Sequence, residues 1–272
     1  PYSAARRQWD PAARSAKHKL LRLMDRQTSR FVTRFHSVSH AVADDNQRRL
    51  GVHPDRVRIV HRGRDVARLQ SVTVADVARV REELGLDDET PTLLNVGRLV
   101  PQKGQRTLLQ MMTQLRRSGV RAKLLVAGDG PLRPELTEAI ARDNLREEVL
   151  LLGTRRDVPA LLKACDALVF PSHYEGLPGA LVESMLSRTP IIASNIPMHR
   201  EFIDDGQMGL LVEASSAYDL ATAVTRLIQQ PESAAQMAAA AQRRAMNLFD
   251  IDVVVAQMES LFSETAELRK SG

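Results

Sequence analysis

Beyond residue 70 the chain moves between two hydrophobic rhythms. Short apolar runs occur at Thr92–Val96, Lys123–Ala127, Val149–Leu152, Ala167–Phe170, Pro190–Ala193 and Gly209–Val212. Between them lie stretches whose apolar residues return every three or four positions, at Val74–Leu84, Gln105–Arg117, Leu132–Arg142, Val158–Ala164 and Gly179–Ser187. Runs of about four to eight apolar residues bounded by Gly and Pro read as buried strands, and the longer spacing reads as helices with one face on a core. Strands and helices in alternation predict an α/β fold, a doubly wound parallel sheet with helices on both faces. Closing helices are expected at about 216–229, 231–247 and 250–268.

The front of the chain has a different pattern. Basic positions within residues 12–34 alternate with Leu20, Leu21, Leu23, Met24, Phe31 and Val32, which predicts a helix with a strongly basic face. A strand is expected at about 35–38, then a helix capped by Ser39 and ended by Gly51, then a strand at Val57–Val60 and a linker at His61–Asp65.

Composition narrows the classes. Of 272 residues 43% are apolar, enough for a large core, but only 4% are aromatic, so the core is mainly Leu, Val, Ala and Ile. No uncharged apolar stretch of about eighteen residues occurs, which argues against a transmembrane helix. A single cysteine, Cys165, rules out an intrachain disulfide and suits a cytoplasmic protein; its setting predicts a small buried residue, not a nucleophile. The first residue is Pro1, with no signal-peptide pattern, and a partial sequence is the expectation. The net charge of +5 is uneven: residues 1–69 hold 16 Lys/Arg against 6 Asp/Glu, and the remainder 22 against 27. A basic front serves nucleic acid, anionic lipid or phosphorylated ligands, or is simply a solvated face. Few aromatics and no nucleic-acid motif argue against nucleic acid.

Ligands of doubly wound sheets gather outside the carboxyl ends of the strands. The loop after the first strand of the series runs from Gly97 to Gly104 and carries Arg98 and Lys103. Two cations beside a helix N-terminus make a site for a diphosphate, though either could be a solvated surface charge. After the second strand, Gly128–Pro131 predicts a tight turn packed near a ligand, with Pro131 in the first turn of the next helix. After the third, Gly153, Thr154 and Arg155 precede Asp157, an expected N-cap; the backbone there either faces a nucleobase or forms a simple loop.

The loop after the fourth strand says most. Glu175 lies in the loop, Pro178 suits the first helical turn, and Glu183 falls eight positions after Glu175. The helix amides would point into the crevice, and either carboxylate can accept hydrogen bonds from adjacent sugar hydroxyls. His173 is either a polar contact in the pocket or structural. The remaining histidines show no metal-ligand spacing, so no metal site is expected. Neither a Gly-x-x-x-x-Gly-Lys-Ser/Thr loop nor a Gly-x-Ser-x-Gly elbow is present.

Taken in order, these segments resemble the retaining glycosyltransferases of family 4. The E-x7-E element is matched by Glu175 and Glu183 in EGLPGALVE, alongside GRLVPQKG, AGDGP, LLGTRRDV and ASNIPMHREFIDDGQMGLLVE. The resemblance implies a GT-B fold of which this chain holds the C-terminal, nucleotide-sugar-binding domain (71–248), a linker (61–70), a remnant of the N-terminal acceptor-side domain (1–60), and a helix (249–272) crossing back toward that remnant. It implies that Arg98 and Lys103 hold the donor diphosphate, that Glu183 binds the ribose, and that Glu175 contacts the transferred sugar. Backbone around Gly97, Gly176, Leu177, Ala180, Leu181 and Val182 would meet sugar and phosphate. Gly153, Thr154 and Arg155 would lie near the base, His173 in the pocket, and Glu201 behind it. The implied reaction is transfer from a nucleoside-diphosphate sugar with retention, without metal or other cofactor, to an acceptor the sequence does not name. Where the family usually reads Ile-Pro-Asn-Gly-Val-Asp, this chain reads Val60 to Asp65 as VHRGRD, adding Arg62 and Arg64. Two other readings are a non-catalytic nucleotide-sugar-binding module and a GT-B sugar-nucleotide epimerase; a glycan phosphorylase would need a pyridoxal-binding lysine for which no context is seen. Residues 14–34 are expected to touch anionic membrane peripherally, on its inner face.

Overall fold

A computed structural model describes residues 16–270. Residues 1–15, part of the expected N-terminal remnant and the first two positions of the expected membrane segment, lie outside the described residues. Two compact units are present: residues to Arg64 with Tyr174–Leu177 and the chain from Asn247, and Asp65–His173 with Pro178–Met246.

In the first unit, α1 (Ala16–Thr28) leads to β1 (Phe35–Ser37), α2 (His40–Leu50) and β2 (Val57–Ile59). The two strands pair in parallel, Phe35 opposite Val57. Ser39 caps α2 by accepting from the Val42 amide at 3.2 Å, and Gly51 ends it at φ 67°, both as expected. The C-terminal helix of this unit (Ile251–Lys270) buries Val254 and Leu261 against Val60. Its Glu264 accepts from Arg34 at 2.9 Å and from Arg58 at 2.5 Å, and these partners, Arg58 first, hold the carboxyl below its ordinary range. A Cβ at Gly63 would come within 2.6 Å of Ile251 Cδ1 and 3.0 Å of its Cα, so the start of that helix packs closely against the VHRGRD segment.

The second unit carries six parallel strands: β3 (Thr92–Val96), β4 (Lys123–Ala127), β5 (Val149–Gly153), β6 (Ala167–Phe170), β7 (Ile191–Ser194) and β8 (Leu210–Val212), in the order 5-4-3-6-7-8. The helices, numbered onward from α2, are α3 (Val66–Gln70), α4 (Val74–Glu83), α5 (Gln105–Arg117), α6 (Arg133–Arg142), α7 (Val158–Ala164), α8 (Gly179–Leu186), α9 (Pro197–Phe202), α10 (Ala217–Gln229) and α11 (Pro231–Phe249); the C-terminal helix of the first unit is α12. Leu93, Leu124, Val126 and Val169 join α5, α6 and α10 in one apolar cluster. Their strand neighbours Leu94, Leu125 and Leu168 are equally buried outside that cluster, as period-two alternation across a sheet covered on both faces requires. The doubly wound fold expected from the sequence is therefore present.

Three local readings change. Pro134, not Pro131, occupies the first turn of α6, because residues 131–132 form a turn before it. Pro178 is the N-cap of α8, one position before the helix. The five-residue α3 and six-residue α9 are too short to show a helical period and were not expected. Cys165 is 8% exposed, and burial pushes its thiol up to about 12, so its structural reading stands.

Candidate functional site

The strand order reverses between β3 and β6: from β3 the chain winds outward to β4 and β5, then returns to β6 and winds the other way. This is the topological switch point, where the loops after two neighbouring strands diverge and leave a crevice. The two loops are those from Gly97 to Gly104 and from Pro171 to Pro178.

Those loops are locked to each other at their bases. His173 N–H donates to the Gln102 carbonyl at 2.9 Å. Gly104, at φ 72°, ends the turn Pro101–Lys103 and starts α5, and a Cβ there would sit 2.3 Å from the Pro171 carbonyl oxygen. Only glycine permits that approach. Lys103, at the end of the turn, runs its stem past Gly97, where an added Cβ would lie 3.7 Å from Lys103 Cδ. Its ammonium is 5.2 Å from the centre of the Phe170 ring, at the end of β6. Arg98 is exposed on the same loop. Lys103 thus comes from β3 yet is held against the end of β6, the strand that leads to Glu183.

Glu183 is half-buried on α8. The first amides of that helix, at Gly179, Ala180 and Leu181, precede the point where intrahelical bonding begins. The Val182 amide already donates to the Pro178 carbonyl at 3.1 Å. That changes one expectation: the Val182 N–H is engaged within the helix, and the amides without an intrahelical partner begin at Gly179 because the cap is Pro178. The side chains of Leu181 and Val182 are wholly buried and serve the core. Glu175, Gly176 and Leu177 belong to the segment grouped with the first unit. Glu175 is 6% exposed, and the Gly176 carbonyl accepts from Ser39 Oγ at 3.3 Å. His173 is half-buried; desolvation draws its imidazole down, and Glu213 partly opposes this.

Gly153, Thr154 and Arg155 lie at the same carboxyl rim, at the end of the edge strand β5 and two strands from β3. Thr154 is exposed. Gly153 accepts from the Gly128 amide at 2.7 Å. The Arg155 guanidinium is already engaged, with Asp157 at 2.7 Å and Glu83 at 3.0 Å. Its two carboxylates, Glu83 first, raise it further above its ordinary range. Asp157 starts α7 without a side-chain cap bond because its carboxylate faces Arg155. We expect Arg155→Ala to lower stability by about 1 kcal/mol or more while leaving nucleotide affinity unchanged, as parallel thermal melts and titrations would read out.

The Gly128–Pro131 turn is tight, as expected, and packs on the Lys103 loop. A Cβ at Gly128 would lie 1.9 Å from the Gly97 carbonyl oxygen, and one at Gly130 2.5 Å from that of Leu99. These glycines admit the backbone of the Lys103 loop, and hydrogen bonds from Leu99 to Asp129 and from Leu132 to Leu99 fasten it there.

Beneath the crevice lies a polar cluster that sequence reading did not single out. Asn95, 1% exposed on β3, donates to the Val169 carbonyl on β6 at 2.8 Å. Ser194, at the end of β7, donates to the Ser172 carbonyl. His199, wholly buried on α9, sets Nδ1 2.8 Å from the Ser194 carbonyl. A carbonyl only accepts, so Nδ1 carries the proton and Nε2 is left as an unpartnered acceptor. The His199 ring lies 5.6 Å from Phe170. Burial, with Lys103 as a lesser cause, takes its pKa down to about 4. The unfolded imidazole titrates near 6.5, so between these values the unfolded chain binds more protons and folding stability rises with pH. We expect stability to fall by about 3 kcal/mol from pH 7 to pH 4 from this group alone. His199→Asn should flatten that fall in denaturant titrations; an unchanged slope would exclude His199 as its source.

Among the described residues no group of three or more His, Cys, Asp or Glu is placed to hold a metal ion, and no helix is long and apolar enough to cross a membrane.

Comparison with known proteins gives the geometry a context. Residues 76–244 match the family profile described as glycosyl transferases group 1, and residues 3–68 match glycosyltransferase family 4. The chain is 34% identical over 168 residues to alpha-D-kanosaminyltransferase of Streptomyces kanamyceticus, covering 61% of this chain and 43% of that protein. It is 29% identical over 214 residues to D-inositol 3-phosphate glycosyltransferase of Rhodococcus jostii, covering 75% of this chain and 47% of that one. The chain thus spans less than half the length of these relatives. Among solved structures, Anabaena HepE in complex with UDP-glucose aligns with a TM-score of 0.82 at 25% identity, covering 92% of this chain and 70% of that one. The parallel sheet, its switch point and a family profile spanning more than half of the residues lead to one conclusion: this chain belongs to the glycosyl transferases group 1 family, of GT-B fold.

Proposed function

We propose that the second unit binds a nucleoside-diphosphate sugar at the switch point and that the whole protein transfers the sugar with retention of anomeric configuration. The observation that carries this is the lock between the Lys103 loop and the loop after β6, which holds a cation from one strand beside Phe170, at the end of the strand that leads to Glu183. A diphosphate suits the Lys103 ammonium, the exposed Arg98 and the unbonded amides of Gly179, Ala180 and Leu181. Glu183 accepts from the ribose hydroxyls, and the backbone of Gly153 to Arg155 lies toward the base. As the bond between the anomeric carbon and the diphosphate breaks, negative charge grows on the departing phosphate, where fixed cations and amides lower the barrier. The acceptor then attacks from the face the diphosphate leaves, and no metal is required. The solved complex of HepE with UDP-glucose supports the donor class.

Calorimetric titration of this chain with UDP-, GDP- and ADP-glucose tests the reading: one should bind, competitively with its own nucleoside diphosphate, and failure of all three would count against it.

The proposal extends to a peripheral contact of α1 with anionic membrane. On and just after that helix Leu20, Leu23 and Met24 are 55–59% exposed and Phe31 is 88% exposed, amid the basic run of residues 14–34. Apolar residues beside arginines suit the interface of an acidic bilayer. Co-sedimentation should rise with phosphatidylglycerol content; equal recovery on phosphatidylcholine vesicles would oppose it.

A further inference from the structure

On the second unit, the last turn of α5 and the outer face of α10 enclose a groove of 520 Å³, open to solvent. Ligand sites occupy about 300–1,000 Å³, so the groove has room for a small ligand or one or two sugar rings. It is built by two helical stripes. Tyr218, Thr222 and Gln229 recur along α10 at intervals that share a face, while Leu220, Val224 and Leu227 of the same helix fill the core. On α5, Gln114 and Ser118 stand one turn apart, with Leu115 as floor. α5 begins at Gly104, so the groove lies at the other end of that helix, about 20 Å from the Lys103 loop by helical rise.

The chemistry of the lining is specific. Tyr218 is 67% exposed, a broad aromatic face standing in water. The carboxamides of Gln114, Gln229 and Gln230 have no protein partner among the described residues. A carboxamide both donates and accepts, matching neighbouring hydroxyls that do the same. A tyrosine ring offers an apolar platform with a polar edge, suited to the C–H face of a pyranose. No carboxylate lines the groove, and Arg226 is its one cation.

We propose that this groove is an accessory saccharide-binding site, separate from the donor site, which accepts neutral sugar rings and uses Arg226 for a uronate. The site gives the protein a second hold on a carbohydrate chain, distant from the place of transfer. It stands on its own residues and does not depend on which nucleotide sugar is used.

The test is NMR or calorimetric titration of the 272-residue chain with maltotriose, cellotriose and trigalacturonate, each at millimolar concentration. At least one should bind saturably. Tyr218→Ala should weaken it about tenfold and Gln229→Ala should weaken it too, while affinity for the nucleotide sugar stays unchanged. Arg226→Gln should weaken trigalacturonate alone. Tyr218 is exposed, so its truncation leaves the core intact and the variant folds. Absence of binding by all three saccharides, or binding indifferent to Tyr218→Ala and Gln229→Ala, would overturn the proposal.

Discussion

Lys103→Ala is expected to weaken nucleoside-diphosphate binding by about ten- to a hundredfold, the worth of one charge-assisted hydrogen bond at 1.5–3 kcal/mol. Turnover of the whole protein should fall further, by about a hundred- to a thousandfold, as when a group facing developing charge is removed. The side chain is placed for this by its contacts. Its stem lies along Gly97, and its ammonium rests near the Phe170 ring. A cation over an aromatic face keeps its charge while losing freedom. Lys103→Arg keeps the charge but carries a planar fork in place of a compact ammonium, so it should rescue only part of the loss. Little change in stability is expected for either variant, since Lys103 is half-exposed. Titration calorimetry with a thermal melt on each variant separates the two effects.

Gly104→Ala should be more damaging to the fold than any surface change. The residue sits at φ 72°, where an L side chain costs about 1–2 kcal/mol. Its Cβ would also meet the Pro171 carbonyl at 2.3 Å, its carbonyl carbon at 3.1 Å and its ring at 3.2 Å. The obstacle is backbone at the end of β6 and cannot swing away. The expected loss is about 3 kcal/mol or more, together with nucleotide binding, because separating the two loops separates Lys103 from α8. Gly119→Ala is the matched control: φ is 74°, but nothing lies within 4 Å of the added carbon. It should show the backbone cost alone and bind nucleotide normally, as denaturant midpoints and titrations would report.

What could be read from the sequence follows from the range of the forces involved. Buried strands such as Ala167–Phe170 and long amphipathic helices such as α5 and α10 declare themselves within a few residues, through burial and period. Ser39 and Gly51 are equally local, since a cap is made by its own neighbours. The placement of Pro131 and Pro178 was one or two residues off because several positions near a helix start tolerate proline. What Gly128 and Gly130 touch is not legible for a different reason: it is the backbone of residues 97–99, some thirty positions earlier. The pairing of Arg155 with Glu83, 72 residues away, was hidden in the same way. His199 gave no signal at all, because its partners come from the ends of β6 and β7 and meet only once the sheet is formed. Lys103 and Glu183 were legible as candidates by motif, but the lock that relates their loops is a tertiary fact.

The proposed site holds one ligand by its phosphates at Lys103 and by its ribose at Glu183. The direct measurement compares a nucleoside with its diphosphate, using the base selected by the donor titrations, on the parent chain, Lys103→Ala and Glu183→Ala. Lys103→Ala should weaken the diphosphate and spare the nucleoside, whereas Glu183→Ala should weaken both. Equal affinities across the three proteins, or a loss on Lys103→Ala that is the same for nucleoside and diphosphate, would contradict it.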